Sequence, residues 1–222
     1  MEAGDLDVVY LVKRSRNNEE LRFSLRSLVN LPHRQVWIVG HAHRWLRNVR
    51  HIPVEQNPAQ KWESQARNLQ AACEHADVSE TFVMFNDDFF VMRPTGAVPT
   101  LHGGRMADRV KTGRAEWRRR FRETAEYCGP DALTYDGIHV PMTFTKPRML
   151  EVLADVGGRL LFRSVYGNRF GIGGRLTGNV KVANESAPPD SLFLSTSDRS
   201  FKHYPVGKHI RESFPDPSPY ER

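Results

Sequence analysis

The chain has 222 residues, 39% hydrophobic and 10% aromatic, enough apolar material for a packed domain rather than a disordered chain. A formal charge of +6 points to anionic partners such as nucleotides, phosphorylated sugars, nucleic acid or an anionic membrane face. No apolar run is long enough to span a bilayer, and the two cysteines, Cys73 and Cys128, exclude a disulfide scaffold.

The opening MEAGDLDVVY lacks the basic-then-apolar layout of a signal peptide, so a soluble cytoplasmic protein is expected. In chain order, DVVYLV at 7–12 reads as a first strand. Residues 17–31 read as a helix, with Leu21, Leu25 and Leu28 on one face and Arg22 and Arg26 on another. Asn17 or Asn18 can cap that helix, and Pro32 ends it. QVWIVG at 35–40 is a second strand, 50–55 a weaker third, 61–76 a helix and 81–85 a fourth strand. Strands alternating with helices predict an α/β fold around a mainly parallel sheet.

The second half is less regular. Residues 94–104 read as loop, 114–127 (RAEWRRRFRETAEY) as a basic helix, 138–144 as a short strand and 147–156 as a helix. The stretch 157–178, rich in Gly and Arg, reads as a mobile, ligand-facing segment, and 214–222 (FPDPSPYER) is too proline-dense for helix or central strand. The simplest partition is one domain, with a core over 1–93 and an acceptor-side half over 94–222 wrapping it.

Residues 81–92, TFVMFNDDFFVM, carry the sharpest chemical signal. Ligands of open α/β sheets collect at the carboxyl ends of parallel strands, and this strand delivers Asn86, Asp87 and Asp88 there. Adjacent carboxylates are hard oxygen ligands suited to Mg²⁺ or Mn²⁺, which also take water and phosphate oxygens. The plain alternative is a turn in which these side chains bind backbone amides. Arg22 and Arg26 present paired donors that fit phosphate oxygens; alternatively they form a solvated face paired with Glu19.

The wider pattern resembles the Stealth family of sugar-phosphate transferases. NNEELRFSLRSL, WIVG and TFVMFNDDFFVMRP resemble its second block, HVP at 139–141 and Phe162-Arg163 its third, and LFLSTSDRSF with FPDPSPYE its fourth. The first block departs: Asp7-Val-Val-Tyr10 matches, but the Trp-Val-Asn-Gly element that should follow is absent. The resemblance implies a GT-A-like core binding a nucleotide sugar, a UDP-sugar first among them, with Asp87 and Asp88 on a divalent cation and Asn86 orienting one of them. It further implies a catalytic His139, whose imidazole could deprotonate an acceptor hydroxyl or steady the transferring group, Arg163 as the cation facing a transferring phosphate and Asp198 as a further metal or acceptor ligand. Asp7, Tyr10 and Ser64 would contact the donor.

The expected reaction moves a sugar-1-phosphate to an acceptor hydroxyl on a glycan, protein or nucleic acid. The alternative moves the sugar alone. A second alternative is a non-enzymatic nucleic-acid-binding protein, with Lys111, Arg114, Arg118, Arg119, Arg120 and Arg122 as a basic surface broken by Trp117 and Phe121.

Overall fold

The structure, a computed structural model, describes residues 6–57, 59–109, 115–185 and 189–222. In chain order the elements are β1 (Asp7–Val12), α1 (Glu19–Ser27), β2 (Val36–Gly40), β3 (Arg50–Ile52), α2 (Lys61–Glu74), β4 (Thr81–Asn86), β5 (Phe89–Val91) and β6 (Leu101–His102). There follow α3 (Ala115–Cys128), β7 (Met142–Thr145), α4 (Lys146–Val156), α5 (Phe162–Arg169), β8 (Arg175–Leu176), β9 (Lys181–Val182), β10 (Phe193–Thr196), α6 (Asp198–His203) and α7 (Pro205–Ser213).

The central sheet has the order β3-β2-β1-β4-β7, parallel throughout except for the antiparallel edge strand β7. Every residue of β1 and β2 is buried, as expected of strands covered on both faces. One face packs Val9, Val39 and Phe82 with residues of α2, α4 and α5. The other packs Val8, Ile38 and Val83 against Leu21 and Leu25 of α1 and Phe89 of β5. A second sheet, β5-β10-β9, lies beyond α1, with Phe90 and Leu194 buried against Phe201 of α6. Burying a large apolar side chain stabilises by roughly 1.5–3 kcal/mol, so these two layers supply most of the folding drive.

Local sequence explains the elements that hold the site. Asn18 is the cap chosen for α1, its Oδ1 accepting from Leu21 N–H at 3.0 Å. The α-helix then stops at Ser27, and a 3-10 turn over Leu28–Asn30 leads to Pro32. Ser197 caps α6 through a capping box with Ser200. Gly40 ends β2 at φ 103°, where an added Cβ would lie 2.5 Å from Val12 O, so glycine is required there.

Two expectations are corrected, and one element is added. The segment 157–178 contains α5, whose residues Phe162 to Gly167 are buried, because Val165 and Tyr166 complete the core under α4. The strand expected over 138–144 begins only at Met142, which leaves His139 in the approach to β7. The apolar run after Asp88, for which no element is expected above, forms β5 and joins the second sheet.

Asp7 is corrected too. It opens β1 at the amino end of the sheet, the opposite end from Asp87 and Asp88. Fully buried, it accepts from Arg34 Nε (2.8 Å) and Nη2 (2.7 Å), Trp37 Nε1 (2.9 Å) and Ser79 N–H (2.8 Å). Four donors converging on one carboxylate make a structural anchor. Asp7→Ala is therefore expected to cost about 3 kcal/mol of stability by leaving those donors unpaired. Chemical denaturation measures that loss, and nucleotide-sugar binding below the lowered transition should match the wild type.

Candidate active site

In the order β3-β2-β1-β4 the chain runs outward from β1 and then crosses back to place β4 on the other side of β1. Ligands bind outside the carboxyl ends of strands at such a switch point. Here β1 runs out into Lys13, and β4 into the two-residue turn Asp87-Asp88 that leads to β5.

The turn is held from both sides. Asn18 Nδ2 donates to Asp87 Oδ2 at 2.6 Å, so one asparagine caps α1 and positions this acid. Lys181 of β9 places its Nζ 2.8 Å from Asp88 Oδ2. Burial, with Asp88 beside it, pushes the Asp87 carboxyl up to about 6. Glu20 and Asp198 complete an acidic cluster. Glu20 is buried, accepts from Thr196 Oγ1, and is held well above the usual carboxylate range by desolvation and its hydrogen bond with Asp198. Asp198 is correspondingly depressed by that bond. Lys13, Asn18, Glu20, Asp87, Asp198 and Lys202 line one small depression.

Three ammonium groups act on this cluster: Lys13, Lys61 at the start of α2, and Lys181. Burial and the repulsion of Lys13 and Lys181 lower the Lys61 ammonium, while Asp88 supports it. Alternating acids and lysines at a strand edge suit a group carrying both phosphate oxygens and a bound cation.

His139 faces the same place. Its φ of 57° is left-handed, a conformation costing of order 1–3 kcal/mol for a non-glycine residue, held by bonds on either side. Ile138 O accepts from Val180 N–H at 3.2 Å, and Val140 O accepts from Arg163 Nη2 at 2.5 Å. Burial, then the nearby Lys181, pushes the imidazole down to about 4, so it is neutral at pH 7 and able to accept a proton.

Arg163 stands elsewhere than expected. It is 6% exposed, turned inward, and opposite the charge of Asp136, which accepts from Ser164 N–H and Oγ at 2.8 Å each. Its Nε is buried without a partner. The guanidinium braces the His139 segment and faces away from the open site.

The remaining expectations divide. Arg22 and Arg26 both pair with Glu221, at 2.9 and 2.8 Å, while Glu19 pairs with Arg211, so neither arginine reaches the switch point. Tyr10 is fully buried with its hydroxyl 2.8 Å from Ser24 Oγ; β1 points it at α1 and not at a base. Ser64 is buried and exchanges bonds with Asn57 N–H (3.2 Å) and O (3.1 Å), fixing the loop before α2. Asn86 closes β4 opposite Leu11, and the asparagine that orients Asp87 is Asn18 instead. Asp87 and Asp198 share one depression, and Asp88, through its ion pair with Lys181, adjoins the cleft that His139 and Lys181 line. The sequence reading missed Glu20, Lys13, Lys61 and Lys181. Of these, only Glu20 carried a signal, as an acid in the first turn of a capped helix within NNEE.

The basic helix is less positive than its sequence. Arg120 is buried and donates to Arg159 O at 2.9 Å, and Arg119 pairs with Glu123 at 2.7 Å. Lys111 and Arg114 lie outside the described residues.

Among the described residues no three His, Cys, Asp or Glu side chains are placed to hold a metal ion by themselves. The donor set nevertheless fits Mg²⁺ or Mn²⁺, which bind through one or two carboxylates plus phosphate and water. Lys181 already puts a positive charge on Asp88. No described helix is long and apolar enough to cross a membrane.

No family model matches the chain, and no curated protein matches it. Among solved structures, the chain is similar to a Drosophila β1,4-galactosyltransferase 7 mutant in complex with manganese, UDP-Gal and xylobiose. The two share 11% identity over 93% of this chain and 80% of that one, with a TM-score of 0.41. The conclusion on fold is a mixed α/β domain with a mainly parallel sheet flanked by helices.

Proposed function

We propose that this chain is a metal-dependent transferase acting on a nucleotide sugar. The observation that carries the reading is the meeting of Asp87 and Asp88 with Lys13, Lys61, Lys181 and neutral His139 at the switch point of a parallel sheet. The core over 1–93 supplies Lys13, Lys61, Asp87 and Asp88. The half over 94–222 supplies His139, Lys181 and Asp198.

Asp87 and Asp88 would hold the divalent cation, which when bound supplies Lewis-acid stabilisation of charge on the diphosphate. The lysines offer their N–H groups to the phosphate oxygens and favour the negative charge that builds up there. His139, neutral and fixed by Arg163 through Val140, takes the proton from an acceptor hydroxyl at its unprotonated ring nitrogen. Glu20 and Asp198 share a proton beside the cluster and limit its net charge.

The four-block resemblance favours transfer of a sugar-1-phosphate to the acceptor hydroxyl. A second reading, transfer of the sugar alone, is favoured by one observation: Arg163, the cation expected to face a transferring phosphate, is buried and engaged elsewhere. The nucleotide product decides between them. With UDP-sugars and Mn²⁺, phosphate transfer is expected to release UMP, whereas UDP would establish sugar transfer. Release of neither nucleoside monophosphate nor nucleoside diphosphate from a panel of UDP-, GDP- and ADP-sugars would overturn the transferase reading.

A further inference from the structure

Beside His139 opens a cleft of about 830 Å³, within the range of roughly 300–1,000 Å³ typical of small-molecule sites. Its inner end carries Lys61, His139 and Lys181, already placed at the acidic turn. Its outer wall is different in chemistry: Trp62 and Trp117 stand there with ring centroids 5.8 Å apart and planes 31° apart.

The wall is rigid. The Arg120 guanidinium lies 5.0 Å from the Trp62 ring, and Trp117 packs 6.1 Å from Phe121. The site depends on a glycine, because a Cβ at Gly137 would come within 3.1 Å of the Trp117 ring. Gly137 thus lets the indole lie against the backbone two residues before His139. The carboxylates of Asp108 and Glu116 line the same outer end.

We infer that this outer end is a binding subsite for the carbohydrate acceptor, one sugar ring lying on the Trp62–Trp117 wall with its hydroxyls donating to Asp108 and Glu116. A sugar ring offers an apolar C–H face that suits an indole, and hydroxyl donors that suit carboxylates. The cleft mixes Asp108, Glu116 and Asp136 with Lys61, Arg109 and Lys181, so its lining offers both acceptors and donors to a neutral polyhydroxyl ring instead of one sign of charge for a polyanion. The subsite leads to His139, so the ring held there presents a hydroxyl to the imidazole. The assignment rests on the transferase reading for its role as acceptor site, while sugar binding itself does not.

Saturation-transfer NMR tests it, with lactose, cellobiose, maltose and xylobiose as probes and the full chain in metal-free buffer without donor. At least one disaccharide is expected to receive magnetisation from the wild type. Trp117→Ala should weaken that binding about tenfold, Trp117→Phe by less, and Asp108→Asn together with Glu116→Gln about tenfold, each with an unchanged circular-dichroism spectrum. The carboxamide pair keeps both indoles, and the carboxamide in place of Glu116 can still accept from Arg120, so it decides the matter should Trp117→Ala fail to fold. No signal from any disaccharide, or signals equal in wild type and carboxamide pair, would overturn the subsite. Release of nucleotide from UDP-sugars by the wild type with Mn²⁺, with water or an added disaccharide as the acceptor, reports separately on the transferase. Disaccharide binding without such release leaves the subsite standing and removes the transferase; release without disaccharide binding does the reverse.

Discussion

Asp88→Asn is expected to lower nucleotide-sugar turnover by about 10³-fold, near 4 kcal/mol of transition-state stabilisation, and to remove its dependence on Mn²⁺. Asp87→Asn should match it in activity and add a signature in stability. Burial raises the Asp87 carboxyl from 3.8 to about 6. Between those values the folded chain keeps a proton that the unfolded chain has lost, so stability falls as pH rises through that window. Above about pH 6 the full cost is present, of order 2 kcal/mol after allowing for partial exposure. Metal-free Asp87→Asn should therefore be more stable than the wild type at pH 8 and equal to it below pH 4. His139 works in the opposite sense. Lowered from 6.5 to about 4, it favours the folded chain above pH 6.5 and loses that contribution as pH falls towards 4. Because His139 is present in both proteins, the difference between their denaturation curves isolates Asp87. Equal stabilities across pH 4–8, or full activity in Asp88→Asn, would remove the acidic turn from the mechanism.

Arg163→Met should destabilise the chain by about 1–3 kcal/mol, because it leaves Val140 O without its donor and removes the positive charge that acts on the buried Asp136. Adding Asp136→Asn should recover part of that loss, since a carboxamide can still accept from the Ser164 N–H and hydroxyl. Activity, assayed below the lowered transition, then reports the role. Arg163 acts on the site through Val140 O, beside the left-handed His139, and through its charge on the imidazole. The expected result is a fall in kcat with the KM for donor unchanged. A rise in donor KM with kcat preserved would mean that the guanidinium touches the donor after all, contrary to its inward orientation.

The sheet was legible because its strands are covered on both sides and so read as continuous apolar runs, DVVYLV and VWIVG among them. The acidic turn was legible for a related reason: polar residues interrupting such a run must lie at its end. Side-chain direction was not. Tyr10 alternates with Leu11 along β1, and pattern alone does not say which face meets α1 and which meets α2. Arg22 and Arg26 belong to a helix whose partner, Glu221, is nearly two hundred residues away, a pairing no local spacing reveals. The same holds for Lys181, an ordinary surface residue in its own segment that acquires meaning only beside Asp88. Arg163 is legible by motif, but its burial as part of α5 follows from packing that the Gly- and Arg-rich flanks conceal.

The acidic turn also joins the two sheets: β4 ends in the first, β5 begins the second, and Thr196 at the end of β10 donates both to Asp88 O (3.4 Å, through its N–H) and to Glu20. Glu20 and Thr196 are 176 positions apart. Contacts of such long sequence separation require a large entropic closure and form late. A nascent or partly folded copy with the parallel core already in place would thus be chemically silent. On the transferase reading, competence would require the segment that carries Lys181, Thr196 and Asp198 to be docked on that core.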